Sequence, residues 1–171
     1  MGAPPAPAYA IIHFAIHEIH IQNQFGNSLL FYRRYIDDAF AIWRSPANNP
    51  AADTTNWHQF KQAMNAFGSL TWEVEDRSNS VNFLDLTISI DNSRLTTKIF
   101  EKPQNLYLHL PFTSCHAPGV LEGTIIGVIC RHCALTTKSS DLVSQIELFF
   151  HRLCNRGYTP TALKPLFEEA I

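Results

Sequence analysis

Asp37 and Asp38 stand side by side between two β-forming runs, Leu29-Leu30-Phe31-Tyr32-Arg33-Arg34-Tyr35-Ile36 and Ala39-Phe40-Ala41-Ile42-Trp43. The pattern predicts a hairpin with the two aspartates as its turn. Folding alone gives little reason for such a pair. An Asn-Gly-like turn is the favoured solution, and adjacent carboxylates repel, which raises the pKa of at least one unless a cation lies beside them. A bound divalent ion reverses that penalty. Hard oxygen ligands on a rigid turn suit Mg²⁺, and two such ions about 3.5–4 Å apart stabilise both the attacking and the leaving oxygen of a phosphoryl-type transfer. The bland alternative is a surface turn with two solvated carboxylates.

Other residues compete for chemical roles. Cys130-Arg131-His132-Cys133, with Cys115-His116 upstream, outlines a zinc site. The same cysteines lie in an apolar run with Ile125, Ile126, Val128 and Ile129, where free cysteine packs as a small hydrophobe, so Cys130 and Cys133 are expected to be buried without metal. His13, His17, Glu18 and His20 hint at a metalloprotease helix. His-Glu-x-x-His would need histidine at position 21, which is Ile21, so these histidines are expected on the polar face of a helix. Asp85 is either a further metal ligand or the partner of a nearby lysine or arginine. Lys98 and Lys102, beside Ile99 and Phe100, either touch phosphates or are strand-edge lysines.

The elements that must position these residues follow from spacing. Ile11, Ile12, Ala15, Ile16 and Ile19 recur at helical intervals and predict a helix over 8–22 with those residues as its packed face. A second helix over 54–67 carries Trp57, Phe60, Met64 and Phe67 on one side, capped by Asp53 or Thr54 and ended by Gly68. Both helices are expected on one face of the hairpin. Leu70–Val74, Val81–Ile90 and Leu95–Phe100 read as antiparallel strands, with Asp91-Asn92-Ser93 as a tight connection. Helices are expected over 120–136, 141–154 and 160–170, with breaks at Ser139-Ser140 and Gly157, and with Thr159 capping the last ahead of Pro160. The fold class is α+β.

At 171 residues with 46% hydrophobic content, the chain can bury a sizeable core. The formal net charge of −2 argues against a domain that binds nucleic acid by bulk electrostatics alone. The acidity is uneven: residues 1–85 carry five Lys/Arg against eight acids, and residues 86–171 eight against seven. Four cysteines without a signal-peptide pattern point to a reducing, intracellular setting rather than a disulfide-stapled scaffold. No run approaches the roughly 18 apolar residues of a membrane span, so no membrane partner is expected.

Tyr35-Ile36-Asp37-Asp38, with its flanks, resembles the aromatic-x-Asp-Asp hairpin of reverse transcriptases. The resemblance continues in order along the chain. Met1–Ala10 is similar to the loop and helix that precede that hairpin, with Ala6-Pro7 where the family usually has Ser-Pro. Val81-Asn82-Phe83-Leu84-Asp85-Leu86-Thr87-Ile88, Lys98-Ile99-Phe100-Glu101-Lys102-Pro103, Ser114-Cys115-His116-Ala117-Pro118 and Arg156-Gly157-Tyr158-Thr159-Pro160 resemble segments of Penelope-like retroelement reverse transcriptases. The family usually joins that histidine directly to proline, so Ala117 is a departure.

The resemblance implies a partial reverse-transcriptase palm over 1–104, followed over 105–171 by a helical thumb or helix-turn-helix region. It implies Asp37 and Asp38 as catalytic ligands of Mg²⁺ or Mn²⁺, and a nucleotide and template pocket bordered by Gly2, Pro7 and Tyr35. Lys98, Lys102, Arg131, Arg152 and Arg156 would contact nucleic acid. The partners would be an RNA template, a DNA primer and deoxynucleoside triphosphates. The family's first catalytic aspartate lies on a strand upstream of this hairpin, so the chain is expected to need a preceding part of the same domain and to be inactive alone. A different class of reading makes it a non-catalytic helix-turn-helix module that binds nucleic acid through Arg131, Lys138, Arg152, Arg156 and Lys164.

Overall fold

The computed structural model describes residues 6–68 and 71–171. The architecture is mixed α+β, with five helices and two small antiparallel sheets among the described residues. The chain packs as two compact units, Met1–Ser78 and Asn79–Ile171, so the 104/105 division drawn from the sequence falls inside the second.

In the first unit, α1 (Ala6–Phe25) leads into a two-stranded hairpin of β1 (Leu29–Tyr35) and β2 (Asp38–Trp43), and α2 (Pro50–Met64) follows. The strands pair from Tyr35↔Asp38 to Leu29↔Trp43, with an irregularity between Leu29 and Phe31. Ile21 and Phe25 of α1, Leu29 and Tyr32 of β1, and Phe60 and Met64 of α2 form one buried cluster, with Trp43, Trp57 and Trp72 packed against it. Both helices therefore cover the same face of the hairpin.

The face of α1 that packs is the opposite of the expected one. Ile16 is 61% exposed and Ile21 only 3%, and Ile11, Ile12 and Ile19 are exposed as well. The helix is apolar on both sides, a pattern that periodicity alone cannot orient. The side bearing Phe14, Ile21 and Phe25 meets the aromatic side of α2, where Phe25 sits edge-on to Phe60 at 5.5 Å. Of the histidines, His13 and His20 are exposed, the His13 ring lying against Phe67, whereas His17 is half-buried, its ring stacked on Phe67 and its Nε2 donating to the Ala63 carbonyl at 3.1 Å.

Three local expectations in this unit are corrected. The cap of α2 is Asn49, whose side chain accepts from Ala52 N–H, with Pro50 at the first helical position. Asp53 lies in the first turn of the helix, buried by partners described below. The second helix ends at Met64 rather than 67; of the strand expected over Leu70–Val74, Leu70 lies outside the described residues and 71–74 form no strand.

The second unit holds the order β3 (Ser80–Phe83), β4 (Leu86–Asp91), β5 (Arg94–Ile99), α3 (Val120–Leu135), α4 (Ser139–Asn155) and α5 (Pro160–Ala170). What reads in sequence as one strand over Val81–Ile90 is a hairpin, because Leu84 takes φ +55° and turns the chain at Leu84-Asp85. The next turn, Asn92-Ser93, has positive φ at both residues, as a type I′ hairpin requires. Ile125, Ile129, Phe149, Leu153, Leu163 and Phe167 form the core of the three helices.

The helix boundaries have local causes. Ser139 and Ser140 begin α4 rather than breaking the chain. The end of α4 is a Schellman motif: Gly157, at φ +97°, donates to the Cys154 carbonyl, and Tyr158 N–H reaches back to that of Leu153. Thr159 caps α5 by accepting from Ala162 N–H, with Pro160 first in the helix. Cys130 and Cys133 are exposed, not buried, since α3 turns Ile125 and Ile129 inward and leaves both thiols on its outer side.

Candidate metal centre

Tyr35 is the last residue of β1 and Asp38 the first of β2, and the two are paired across the hairpin. The turn itself is Ile36-Asp37, one residue earlier than a turn made of both aspartates. Ile36 has φ +54°, and Asp37 is not among the residues of positive φ. A left-handed first turn residue alone is the pattern that usually selects glycine. For a β-branched residue it is a genuine outlier, and such outliers cluster at functional sites.

Asp37, Asp38 and Tyr35 are all exposed. Among the described residues neither carboxylate makes a side-chain hydrogen bond or an ion pair. Cross-strand pairs lie on one face of a sheet, so Asp38 shares the outer face of the hairpin with Tyr35, Arg33, Phe40, Phe31 and Ile42. Arg33 sits over the Phe31 ring at 5.0 Å.

The inner face at the root of this turn carries buried charge that sequence reasoning missed. Glu18 of α1 accepts from Tyr32 Oη at 2.9 Å and forms an ion pair with Arg34. Arg34 Nη1 also donates to the Ile36 carbonyl at 2.8 Å, and Nη2 to the Ile11 carbonyl at 3.3 Å. Burial, and then the Glu18 carboxylate, pushes the Tyr32 phenol above its usual range, which keeps it a donor. The signal available in sequence was Glu18 itself, an acid in the most apolar stretch of the chain.

The donors at the turn are carboxylate oxygens, the type that a hard divalent cation takes. Two adjacent, unpaired, solvent-facing carboxylates supply oxygen ligands while leaving room for the waters Mg²⁺ retains. Among the described residues no group of three or more His, Cys, Asp or Glu side chains converges as a metal cage. Gly2 lies outside the described residues. Pro7 is in the first turn of α1.

The basic residues named from sequence all lie in the second unit. Arg131 pairs with Asp85 at 2.5 Å, both half-exposed, which gives Asp85 an ion-pair role. Arg152 makes two bonds to Glu101, at 2.5 and 2.6 Å, with its guanidinium 4.4 Å from the Tyr107 ring centre. Arg156 Nε donates to the His109 carbonyl at 2.9 Å. Lys102 is exposed. Lys98 lines an open polar cleft of about 270 Å³ with Thr87, Ser89, Thr97, Lys138 and Asp141. Lys138 is paired there with Asp91 at 2.7 Å.

No helix among the described residues is long and apolar enough to cross a membrane. Compared with protein-family models, with curated proteins and with solved structures, the chain matches none.

Proposed function

We propose that this chain is part of a retroelement reverse transcriptase of the Penelope-like kind, in which Asp37 and Asp38 hold Mg²⁺ or Mn²⁺ for template-directed nucleotidyl transfer. One observation carries the reading: two adjacent, solvent-facing carboxylates, without an ion-pair partner among the described residues, stand at a turn whose first residue, Ile36, has φ +54°, between aromatic-rich strands. That is an unfavourable arrangement for a mere turn and a suitable one for a metal ligand pair. The cation supplies Lewis-acid stabilisation of phosphate oxygens when bound. The chain's own contribution is to hold two oxygen donors rigidly at the end of a hairpin whose inner face is packed by α1 and α2. Tyr35, on the same outer face as Asp38, offers an aromatic surface to a nucleotide. The first unit then serves as part of a palm, and the helices of the second as a thumb or helix-turn-helix region.

The helix-turn-helix module without chemistry has less in its favour. Arg131, Arg152 and Arg156 all have intrachain partners, so the basic groups it relies on are already engaged.

The test is Mn²⁺ binding followed by electron paramagnetic resonance, with and without an RNA–DNA primer–template and a non-hydrolysable deoxynucleoside triphosphate. The expected result is weak binding by the chain alone, tightening with the nucleic acid and nucleotide, and loss of both in Asp37→Asn/Asp38→Asn. Equal Mn²⁺ binding by the variant would sink the assignment.

A further inference from the structure

The guanidinium of Arg34 is wedged between two elements, with its side chain 6% exposed and that of Glu18 10%. One edge of the planar group faces Glu18, through Nε to Oε1 and through Nη2 to Oε2 at 3.3 Å. The other edge faces backbone: Nη1 reaches the Ile36 carbonyl at 2.8 Å and Nη2 the Ile11 carbonyl at 3.3 Å. The Phe14 ring, centred 5.3 Å from Cζ, packs on its face. A guanidinium presents its five N–H groups in a fixed plane, so orienting one edge orients the other.

The carbonyl so held is that of the strained residue. The Ile36 C=O and the Asp37 N–H share one rigid peptide plane, so fixing the oxygen of Ile36 fixes the direction in which the chain enters Asp37. A left-handed conformation is unfavourable for an L-residue and persists only where its surroundings over-determine it. The bond from Arg34 is such a constraint, and Glu18, reaching across from α1, aims it. Tyr32 Oη donates to the same oxygen, Glu18 Oε1, that accepts from Arg34 Nε, but makes no bond to the Ile36 or Ile11 carbonyl that the guanidinium holds.

We propose that Glu18 and Arg34 are positioning residues for the metal ligand Asp37: the buried Glu18 carboxylate aims the Arg34 guanidinium, which clamps the Ile36 carbonyl and so sets the peptide plane that carries Asp37. The inference rests on Asp37 and Asp38 being metal ligands. It adds that the metal site is built from α1 as much as from the hairpin, through a residue nineteen positions before the ligand it serves, Glu18 to Asp37.

The experiment is Mn²⁺ titration of the full chain as wild type, Glu18→Gln, Arg34→Lys, Tyr32→Phe and Asp37→Asn/Asp38→Asn, with thermal unfolding recorded for each. Lysine keeps the charge beside Glu18 and loses the planar fork to Ile36. Loss of a supporting group around a metal ligand typically weakens metal affinity about 10–100-fold. The expected result is a loss of at least about tenfold in Glu18→Gln and Arg34→Lys, with Tyr32→Phe within about twofold of wild type although its melting temperature falls.

Wild-type affinity in Glu18→Gln and Arg34→Lys overturns the positioning role, provided that Asp37→Asn/Asp38→Asn has lost the metal. An equal loss in Tyr32→Phe overturns it too, since affinity would then follow stability. Unchanged affinity in Asp37→Asn/Asp38→Asn instead overturns the metal-ligand assignment itself. Should the Glu18 and Arg34 variants not fold, nuclear magnetic resonance of the unmodified chain decides. Mg²⁺ is expected to shift the Arg34 Nε–H and Asp37 amide signals together, and an unmoved Arg34 signal while Asp37 shifts overturns the proposal.

Discussion

Trp43 Nε1–H donates to Asp53 Oδ1 at 2.9 Å, which ties the last residue of β2 to the first turn of α2. Arg77 Nη1 meets the other carboxylate oxygen at 2.8 Å, so a buried acid is satisfied from both sides.

These donors, the Trp43 indole first and Arg77 next, hold the Asp53 carboxyl below the usual aspartate range. A depressed carboxyl pKa contributes stability that is present above the unfolded value near 3.9 and is lost as pH falls through the folded value. Acid denaturation followed by tryptophan fluorescence is expected to show this loss below about pH 4. In Asp53→Asn the first unit should be less stable at neutral pH and less sensitive to acid over that window. Unchanged acid sensitivity would contradict the assignment.

The second unit carries the opposite kind of group. Burial, followed by Arg152 for His109 and by Arg131 for His132, lowers both imidazole pKa values. His109 Nε2 and His132 Nδ1 are buried without a partner. A histidine with a lowered folded pKa binds its proton more readily when unfolded, so stability is full above the ordinary value near 6.5 and declines as pH falls from there toward the folded value. Urea midpoints measured from pH 7.5 to 5 should fall, and should fall less in His132→Gln.

The orientation of α1 gives a sharp contrast between two isoleucines. Ile16→Lys, on the exposed side, should change stability by no more than about 0.5 kcal/mol. Ile21→Lys, in the buried cluster, should unfold the first unit. Circular dichroism melts of the two variants check this, and the reverse order would restore the face expected from sequence.

Leu153 is completely buried between Ile129, Phe149 and Leu163 in one cluster. Leu153→Ala is expected to cost about 2–5 kcal/mol in urea unfolding. Cys115, Cys130 and Cys133, being exposed, should react with a thiol reagent in the native state well before Cys154.

The parts of the fold that could be read in advance are those with local causes. Thr159-Pro160 marks a helix start whose cap and first residue are both determined by neighbouring atoms, and Gly157 ends α4 because its positive φ is freely available to glycine. The hairpin bearing Asp37 and Asp38 was legible from its β-rich flanks. Its turn was displaced by one residue because Ile36 adopts a conformation no propensity assigns to isoleucine. Leu84-Asp85 escaped notice for the same reason: neither residue announces a turn. The side on which α1 packs, the burial of Glu18 and the outward cysteines of α3 depend on which of two apolar surfaces finds a partner, and that is decided by distant parts of the chain rather than by spacing.

The hairpin of β1 and β2 is a two-stranded sheet, so among the described residues neither of its long sides has a neighbouring strand. Along each strand every second backbone N–H points away from its partner. Deuterium uptake should therefore alternate residue by residue along Leu29–Tyr35 and Asp38–Trp43, fast for the outward amides and slow for the inward ones. Any strand that added to either side would erase the alternation on that side alone. The pattern of exchange thus reports, amide by amide, which edge of the aspartate hairpin a further piece of polypeptide occupies.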